Sequence, residues 1–220
     1  MHRTMRSPHA LTPWINASLT AAAGFLLLLL PARWALRGSR AATLDGIETL
    51  DDAAAACRRT GLAGWDLVTY AQRLVYRKFV CYSCRNLWDT PAQAFRRGMG
   101  YCTQYNLALQ QILERLGFDV QAVFSLRVRV IDEPEWSMGH TWLRVRIGGE
   151  TRTVCAGHAD NLPGQVHFTP AAPVWPGNNV VLFLSNLGMI LFCGFLEWRA
   201  ILARKPAPDW MFHARQDPMR

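Results

Sequence analysis

Two adjacent glycines, Gly148 and Gly149, separate two runs of alternating apolar and polar residues, HTWLRVRI before them and ETRTVC after them. Alternation with a period of two residues predicts β-strands, and a two-glycine connection between such strands is typical of a tight β-hairpin. If the glycines form the turn, Ile147 pairs with Glu150. This pair determines the register of the whole hairpin, and it requires an antiparallel sheet in this half of the chain.

The register also predicts which side chains share a face of the sheet. Continuing the pairing from the turn places Trp142 opposite Cys155 and His140 opposite Gly157. Because successive side chains of a strand point to opposite faces, His140, Trp142 and Cys155 are expected on one face. A histidine and a cysteine are therefore predicted to lie close together although 15 residues separate them in the sequence.

Helical patterns precede the strands. Four segments with apolar residues at helical spacing or with helix-start signals are predicted as helices: LDGIETLDDAAAACRRTG, GWDLVTYAQRLVYRKF, TPAQAFRRG and the run that follows Cys102. Helices first and strands second predict an α+β fold, with a helical half packed on an antiparallel sheet.

Cys102 lies at the start of the fourth predicted helix. The apolar stripe of that helix comprises Leu109, Ile112, Leu113 and Leu116. Cys102 precedes Leu109 by seven residues, so it belongs to the same inward face in the first helical turn. Unpaired N–H groups and the positive end of the helix dipole are expected to lower the pKa of a thiol there. The position suits either a small core residue or a nucleophile.

The surroundings of Cys102 and His140 resemble a known family. LWDTPAQAFRRGMGYC, together with MGHTWLRVRIGGETRTV, is similar to the transglutaminase-like superfamily of papain-type cysteine enzymes, from roughly Trp65 to Pro170, and His140 follows Cys102 by 38 residues. The resemblance implies a papain-like fold and a Cys-His-Asp triad that attacks an amide carbonyl in a peptide or protein substrate. It implies Cys102 as nucleophile and His140 as base, with acyl transfer or hydrolysis through a thioester on Cys102 and no cofactor.

The third triad position departs from that pattern. The family has its aspartate 15 residues after the histidine, where this chain has Cys155. Asp160 is the nearest carboxylate, but continued strand alternation would point it away from the face that carries Cys155. An orienting group fixes the histidine tautomer, so its loss lowers activity while leaving the fold intact. A catalytically silent binding or assembly module is therefore the alternative function.

The cysteines give a second resemblance and two possible metal sites. GYCTQYN, residues 100–106, is similar to the cysteine motif of arylamine N-acetyltransferases, which gives a further acyltransferase alternative. Cys81 and Cys84 have CxxC spacing, but no second pair accompanies them, so the spacing does not predict a zinc site. A metal cluster of Cys102, His140, Cys155 and His158 explains the sequence less well than the family resemblance. No metal site is expected.

Charge is concentrated at the two ends of the chain. Of the net charge of +8, residues 1–40 carry +5, residues 41–179 carry +1 and residues 180–220 carry +2. This distribution does not predict a basic groove for nucleic acid, because the charge flanks two hydrophobic segments. It favours association with a membrane surface.

The first hydrophobic segment, residues 7–32, has no Asp, Glu, Lys or Arg and is long enough to span a bilayer. The basic stretch PARWALRGSR after it favours an uncleaved anchor over a cleaved signal peptide. The second segment, residues 180–196, suits a second span, an interfacial helix or a buried helix equally well. The prediction is a protein anchored in a bacterial inner membrane, with the side of the catalytic domain and the oligomeric state left open.

The sequence is therefore divided into three parts. Residues 1–40 are predicted as an N-terminal anchor or signal-anchor, residues 41–179 as the transglutaminase-like domain, and residues 180–220 as a hydrophobic helix with a basic tail.

Overall fold

The computed structural model describes residues 24, 44, 46–131 and 137–215. Apart from residue 24, the predicted N-terminal anchor lies outside these residues. The described helices are α1 (Leu50–Arg59), α2 (Gly64–Lys78), α3 (Pro91–Arg97), α4 (Cys102–Arg115) and α5 (Asn179–Ala203). The predicted order of helices before strands is confirmed for the middle of the chain.

Helix-start signals explain where two of the helices begin. The Thr49 hydroxyl accepts a hydrogen bond from the Asp52 N–H, and the Asp52 carboxylate accepts one from the Thr49 N–H. This reciprocal cap starts α1 at Leu50, six residues later than the apolar pattern predicts. Thr90 and Gln93 cap α3 in the same way, and α3 ends at Gly98, whose φ is 68°.

Two sheets are described, built from strands β1 (Cys81–Ser83), β2 (Met99–Gly100), β3 (Asp119–Val130), β4 (Ser137–Ile147), β5 (Glu150–Val154), β6 (Phe168–Pro170), β7 (Val174–Pro176) and β8 (Phe212–Ala214). The larger sheet is antiparallel, with strand order β5-β4-β3-β6 and with β7 also pairing with β3. The smaller sheet has the order β2-β1-β8. The α+β prediction is confirmed.

The predicted hairpin register is confirmed between the turn and the middle of β4. Ile147 pairs with Glu150, and Leu143 pairs with Val154. Both turn glycines have positive φ, 57° at Gly148 and 87° at Gly149, as the tight hairpin requires. The ladder ends at the Leu143–Val154 pair, so His140 lies beyond the last paired residue of β5 and faces a turn.

The core lies between α4 and the larger sheet. Leu109, Ile112 and Leu113 of α4 are fully buried, as the apolar stripe predicts, and Leu143 and Val145 of β4 are fully buried as well. Helices α1, α2 and α3 also pack against α4. Burial of the first residues of α4 against β4 brings the Cys102 end of the helix to the His140 end of the strand.

The C-terminal hydrophobic helix is confirmed and is longer than predicted, since α5 covers 25 residues. Among the residues that the structure describes, α5 is the single helix long and apolar enough to cross a membrane, with a mean hydropathy of 2.0 and 17% of that stretch buried. One side of α5 contacts the domain: Asn186 accepts a hydrogen bond from the Tyr101 hydroxyl at 2.7 Å, and Glu197 pairs with Arg85 at 3.1 Å. Its other side exposes large apolar side chains.

Candidate active site

Cys102 is the first residue of α4, as predicted, and 6% of its surface is exposed. Gln104 stabilises this helix start, because its Oε1 accepts a hydrogen bond from the Tyr101 N–H at 3.2 Å and its Nε2 donates to the carbonyl oxygens of Asn86 and Asp89. A Cβ at Gly100 would lie 2.8 Å from Gln104 Oε1. The glycine before the cysteine is therefore needed for the close approach of Gln104.

His140 lies in β4 with 7% of its surface exposed. Its Nε2 is 3.3 Å from Cys155 Sγ. The imidazole stacks on Trp142 at a centroid distance of 6.0 Å, and the Phe168 ring contacts it edge-on at 4.6 Å. These two aromatic rings restrict the rotation of the imidazole, which leaves Nδ1 as the nitrogen not engaged by Cys155.

Asn106 connects the three parts of the chain that carry these residues. It lies four residues after Cys102, on the same face of α4, and is fully buried. Its Nδ2 donates to the Thr141 carbonyl at 2.7 Å and lies 3.5 Å from Cys155 Sγ, while its Oδ1 accepts from the Ala156 N–H at 3.0 Å. Asn106 was not among the site residues predicted from the sequence. Its i+4 spacing from Cys102 was the available signal.

Cys102, His140 and Cys155 border one cavity of about 1120 Å³. Its other lining residues include Tyr82, Tyr105, Asp160 and Arg215. Arg215 comes from the C-terminal end of the described chain, and no feature of the sequence pattern placed it near Cys102.

The cavity is a low-polarity environment for its titratable groups. Burial raises the pKa of the Cys102 thiol to about 11, against the lowering effect of hydrogen bonds from Thr141 and Thr103. Burial, together with the positive charge of Arg215, lowers the pKa of His140 to about 4. The expectation that the helix start lowers the thiol pKa is wrong in this structure, because desolvation raises the pKa by more than the hydrogen bonds to the sulfur lower it. Near neutral pH both groups are uncharged.

Cys155 takes the position of the family carboxylate but has different hydrogen-bonding properties. Burial also raises its pKa to about 11, so it is a thiol near neutral pH. An ionised carboxylate only accepts hydrogen bonds, whereas a thiol both donates and accepts weakly. The contact at 3.3 Å therefore orients the His140 ring without selecting one tautomer.

Asp160 lies in the turns after β5, with 81% of its side chain exposed. Its carboxylate is 3.7 Å from Nδ1 of His158, and its N–H donates to the same nitrogen at 3.3 Å. The His158 ring in turn stacks on His167 at 4.0 Å. The structure thus brings Cys155, and not Asp160, into contact with His140, and a catalytic role for Asp160 stays a prediction.

The cysteines of the CxxC motif, Cys81 and Cys84, are both free thiols. Cys84 is buried and its thiol contacts Cys193 of α5. This contact belongs to the packing of α5 on the domain.

Comparisons with known proteins agree in part with the sequence prediction. A family model described as N-acetyltransferase matches residues 94–172, which include Cys102, His140, Cys155 and Asp160 but cover only about a third of the chain. A solved structure described as the crystal structure of a TGase is 12% identical, with a TM-score of 0.42; the match covers 56% of this chain and 33% of that one. No curated protein matches the sequence.

Proposed function

We propose that this protein is a cysteine acyl-transfer enzyme that carries an acyl group as a thioester on Cys102 and passes it to an amine. The proposal is supported by one observation above all: Cys102, at the start of a buried helix, borders the same cavity as His140. The N-acetyltransferase match over residues 94–172 supports the same class of reaction.

In the proposed reaction His140 is a general base and not the partner of a preformed thiolate. Because Nε2 of His140 contacts Cys155, Nδ1 takes the proton from Cys102 Sγ as the sulfur attacks the acyl carbonyl. Backbone N–H groups at the start of α4 stabilise the negative charge that develops on the carbonyl oxygen. The imidazolium then protonates the leaving group, which leaves the acyl group on sulfur.

The second half of the reaction repeats these roles. His140 takes a proton from the incoming amine as the amine nitrogen attacks the thioester carbonyl. The C–S bond then breaks, and the imidazolium returns the proton to the departing Cys102 sulfur. Attack by water would give hydrolysis. An activated ester or thioester is the simplest acyl donor, while the transglutaminase-like resemblance proposes a peptide amide in that role.

A catalytically silent module is the second candidate function. The observations that favour it are the thiol at position 155 and the uncharged state of Cys102 and His140 near neutral pH. Such a domain would keep the cavity and the fold without acylating Cys102.

Membrane association is also proposed. The contacts of Asn186 and Glu197 hold one side of α5 on the domain, whereas Val180, Phe183 and Leu202 are exposed by 59% or more. A helix held in this way, with an apolar outer side, suits the membrane interface better than a free transmembrane span.

The experiment is the trapping of the acyl-enzyme. The protein is incubated with p-nitrophenyl acetate, with an acetyl thioester and with a peptide carrying a glutamine amide, and the adduct is located by peptide mass mapping. We expect one acyl group on Cys102, transfer to an added amine, and loss of the adduct in Cys102→Ser and His140→Ala but not in the control Cys57→Ser.

Other results would change the proposal. An adduct on Cys155 would make that thiol the nucleophile, since it contacts His140 directly. The absence of any adduct with all three donors, from a folded protein, would favour the silent module.

A further inference from the structure

The C-terminal end of the described chain supplies a cation to the cavity. Arg215 follows β8, and its backbone N–H donates to the Val80 carbonyl at 2.8 Å, which extends the pairing of β8 with β1. The side chain of Arg215 borders the cavity together with Cys102 and His140. The smaller sheet therefore holds a guanidinium at the edge of the candidate active site.

Four groups hold the guanidinium of Arg215 in place. Its Nη2 donates to the carbonyl oxygens of Ala156 at 3.3 Å and Gly157 at 3.0 Å. Its central carbon lies 4.4 Å from the ring centroid of Tyr105 and 5.1 Å from that of Tyr76. A planar group fixed by two carbonyls and two rings has a defined orientation before any ligand arrives.

A second nitrogen, Nη1, is buried and has no hydrogen-bond partner within the part of the chain that the structure describes. A buried N–H donor without an acceptor is unfavourable, and the cost is larger for a charged group. The two carbonyls and two rings carry no formal negative charge. Among the residues that the structure describes, Nη1 of Arg215 is therefore a donor without an acceptor on a positively charged group, a combination that fits a carboxylate.

The position relative to Cys102 suggests what the carboxylate belongs to. Tyr105, on which the guanidinium stacks, lies three residues after Cys102, a rise of about 4.5 Å along α4. A small molecule can therefore span from Cys102 Sγ to Arg215. The positive charge of Arg215 also acts on His140, whose pKa it lowers.

We infer that Arg215 binds the carboxylate of the acyl donor, so that the preferred donors carry a carboxylate a few bonds from the acyl carbon, as a dicarboxylic acid monothioester does. This inference rests on the proposed acyl transfer, but the anion site itself can be measured without it.

The test compares two alkylating reagents of nearly equal size, anionic iodoacetate and neutral iodoacetamide, at Cys102 of the full-length protein. We expect the ratio of the two rates, iodoacetate over iodoacetamide, to fall by about fivefold to tenfold in Arg215→Gln, because the charged hydrogen bonds are lost. The matched control is Arg146→Gln, whose side chain is 65% exposed and lies outside the cavity lining. Its ratio should equal that of the wild type.

A measurement on the wild-type protein does not depend on the folding of any variant. Succinate should slow the iodoacetamide reaction at Cys102 and raise the melting temperature, whereas the neutral succinamide should do neither. The same protein is then given glutaryl thioester and its methyl ester, of which the free acid should acylate Cys102 faster.

The outcomes separate the two proposals. The anion site is supported, and acyl transfer is rejected, if two results occur together. The alkylation ratio and the succinate protection depend on Arg215, and neither the glutaryl thioester nor its methyl ester acylates Cys102. The anion site would be overturned if the ratio of the two alkylation rates is equal in wild type and Arg215→Gln. If the variant misfolds, the absence of any succinate effect on the wild type would overturn it. Both conclusions hold even if acetyl donors acylate Cys102.

Discussion

The thiol of Cys102 and the imidazole of His140 have 6% and 7% of their surfaces exposed. At the residue scale, this burial determines their charge. Desolvation acts against the thiolate and against the imidazolium at the same time, so it raises one pKa and lowers the other. In the proposed reaction, proton transfer between them therefore accompanies substrate attack, since the charged pair is unfavourable in the empty cavity.

The first prediction concerns the pH dependence of Cys102 alkylation. With a thiol pKa of about 11, the thiolate fraction, and with it the iodoacetamide rate, should rise about tenfold per pH unit from 7 to 10. Labelling followed by peptide mapping measures this, with glutathione as the reference thiol. A rate that is constant above pH 5 would indicate a preformed thiolate–imidazolium pair.

A second prediction concerns the residue that faces His140. Cys155→Asp should raise the pKa of His140, because a carboxylate stabilises the imidazolium and only accepts hydrogen bonds. The Asn106 amide, 3.5 Å from the Cys155 sulfur, is an available donor to the new carboxylate. We expect the neutral-pH labelling rate of Cys102 to increase by about tenfold or more.

Two control variants test whether the faster labelling in Cys155→Asp comes from the new carboxylate. Cys155→Ser, which is uncharged, should leave the labelling rate of Cys102 within about threefold of the wild type. Asp160→Asn should leave it unchanged, since the Asp160 carboxylate is 81% exposed and faces His158. Loss of reactivity in Asp160→Asn, with no gain in Cys155→Asp, would identify Asp160 as the orienting group.

At the scale of the elements, three segments meet at one amide side chain. Asn106 of α4 donates to the Thr141 carbonyl of β4 and accepts from the Ala156 N–H just after β5. The distances between Cys102, His140 and Cys155 therefore depend on this one side chain as well as on apolar packing. Asn106 is a positioning residue in the proposed reaction.

The third prediction follows from those hydrogen bonds. Asn106→Ala should destabilise the protein by about 2–4 kcal/mol, because it leaves a buried carbonyl and a buried N–H without partners. Unfolding in urea measures the change. Gln110→Ala, on the exposed side of the same helix, is the control and should cost about 0.5 kcal/mol or less. Equal effects of the two substitutions would show that Asn106 does not connect the elements.

The outer side of α5 leads to a fourth prediction. A chain lacking residues 1–40 should still bind vesicles that contain anionic lipid, and Phe183→Gln combined with Leu184→Gln should weaken that binding by about tenfold or more. Both side chains are exposed by 59% or more. Vesicle co-sedimentation is the measurement. The control pair, Leu126→Gln and Ile131→Gln, removes exposed apolar surface elsewhere; equal loss in both pairs would exclude a specific role of α5.

At the scale of the whole molecule, a buried histidine links folding to pH. The pKa of His140 is about 4 in the folded protein and near its ordinary value of 6.5 in the unfolded chain. Between these values the unfolded state binds more protons than the folded state, so stability decreases as pH falls. Above pH 6.5 both states carry a neutral imidazole and this contribution is fully present.

The fifth prediction is the size of that effect. The free energy of unfolding should decrease by about 3 kcal/mol between pH 7 and pH 4, as the shift of the His140 pKa requires. Urea unfolding at a series of pH values measures it. In His140→Gln this component should be absent, and an identical pH dependence in the variant would assign the loss to other groups.

The hairpin register, the starts of α3 and α4, and the α+β order could be predicted from the sequence, because they depend on residues within a few positions of one another. Gly148 and Gly149 permit the turn, Thr90 caps its helix, and the period of apolar residues separates strand from helix. Positions 102, 140 and 155 were predicted as site residues from the helix start, the hairpin register and the family resemblance, and the missing carboxylate was predicted from the resemblance alone.

Only the tertiary structure decided the protonation state of Cys102 and the presence of Arg215 in the cavity. The pKa of Cys102 is raised because elements distant in the sequence exclude water from it, and no local pattern contains that desolvation. Arg215 reaches the cavity through the pairing of β8 with β1, a contact between residues more than 100 positions apart. Long-range packing is the sum of many weak contacts across the chain, so the charge in the cavity could not be read from the residues that surround Cys102 in the sequence.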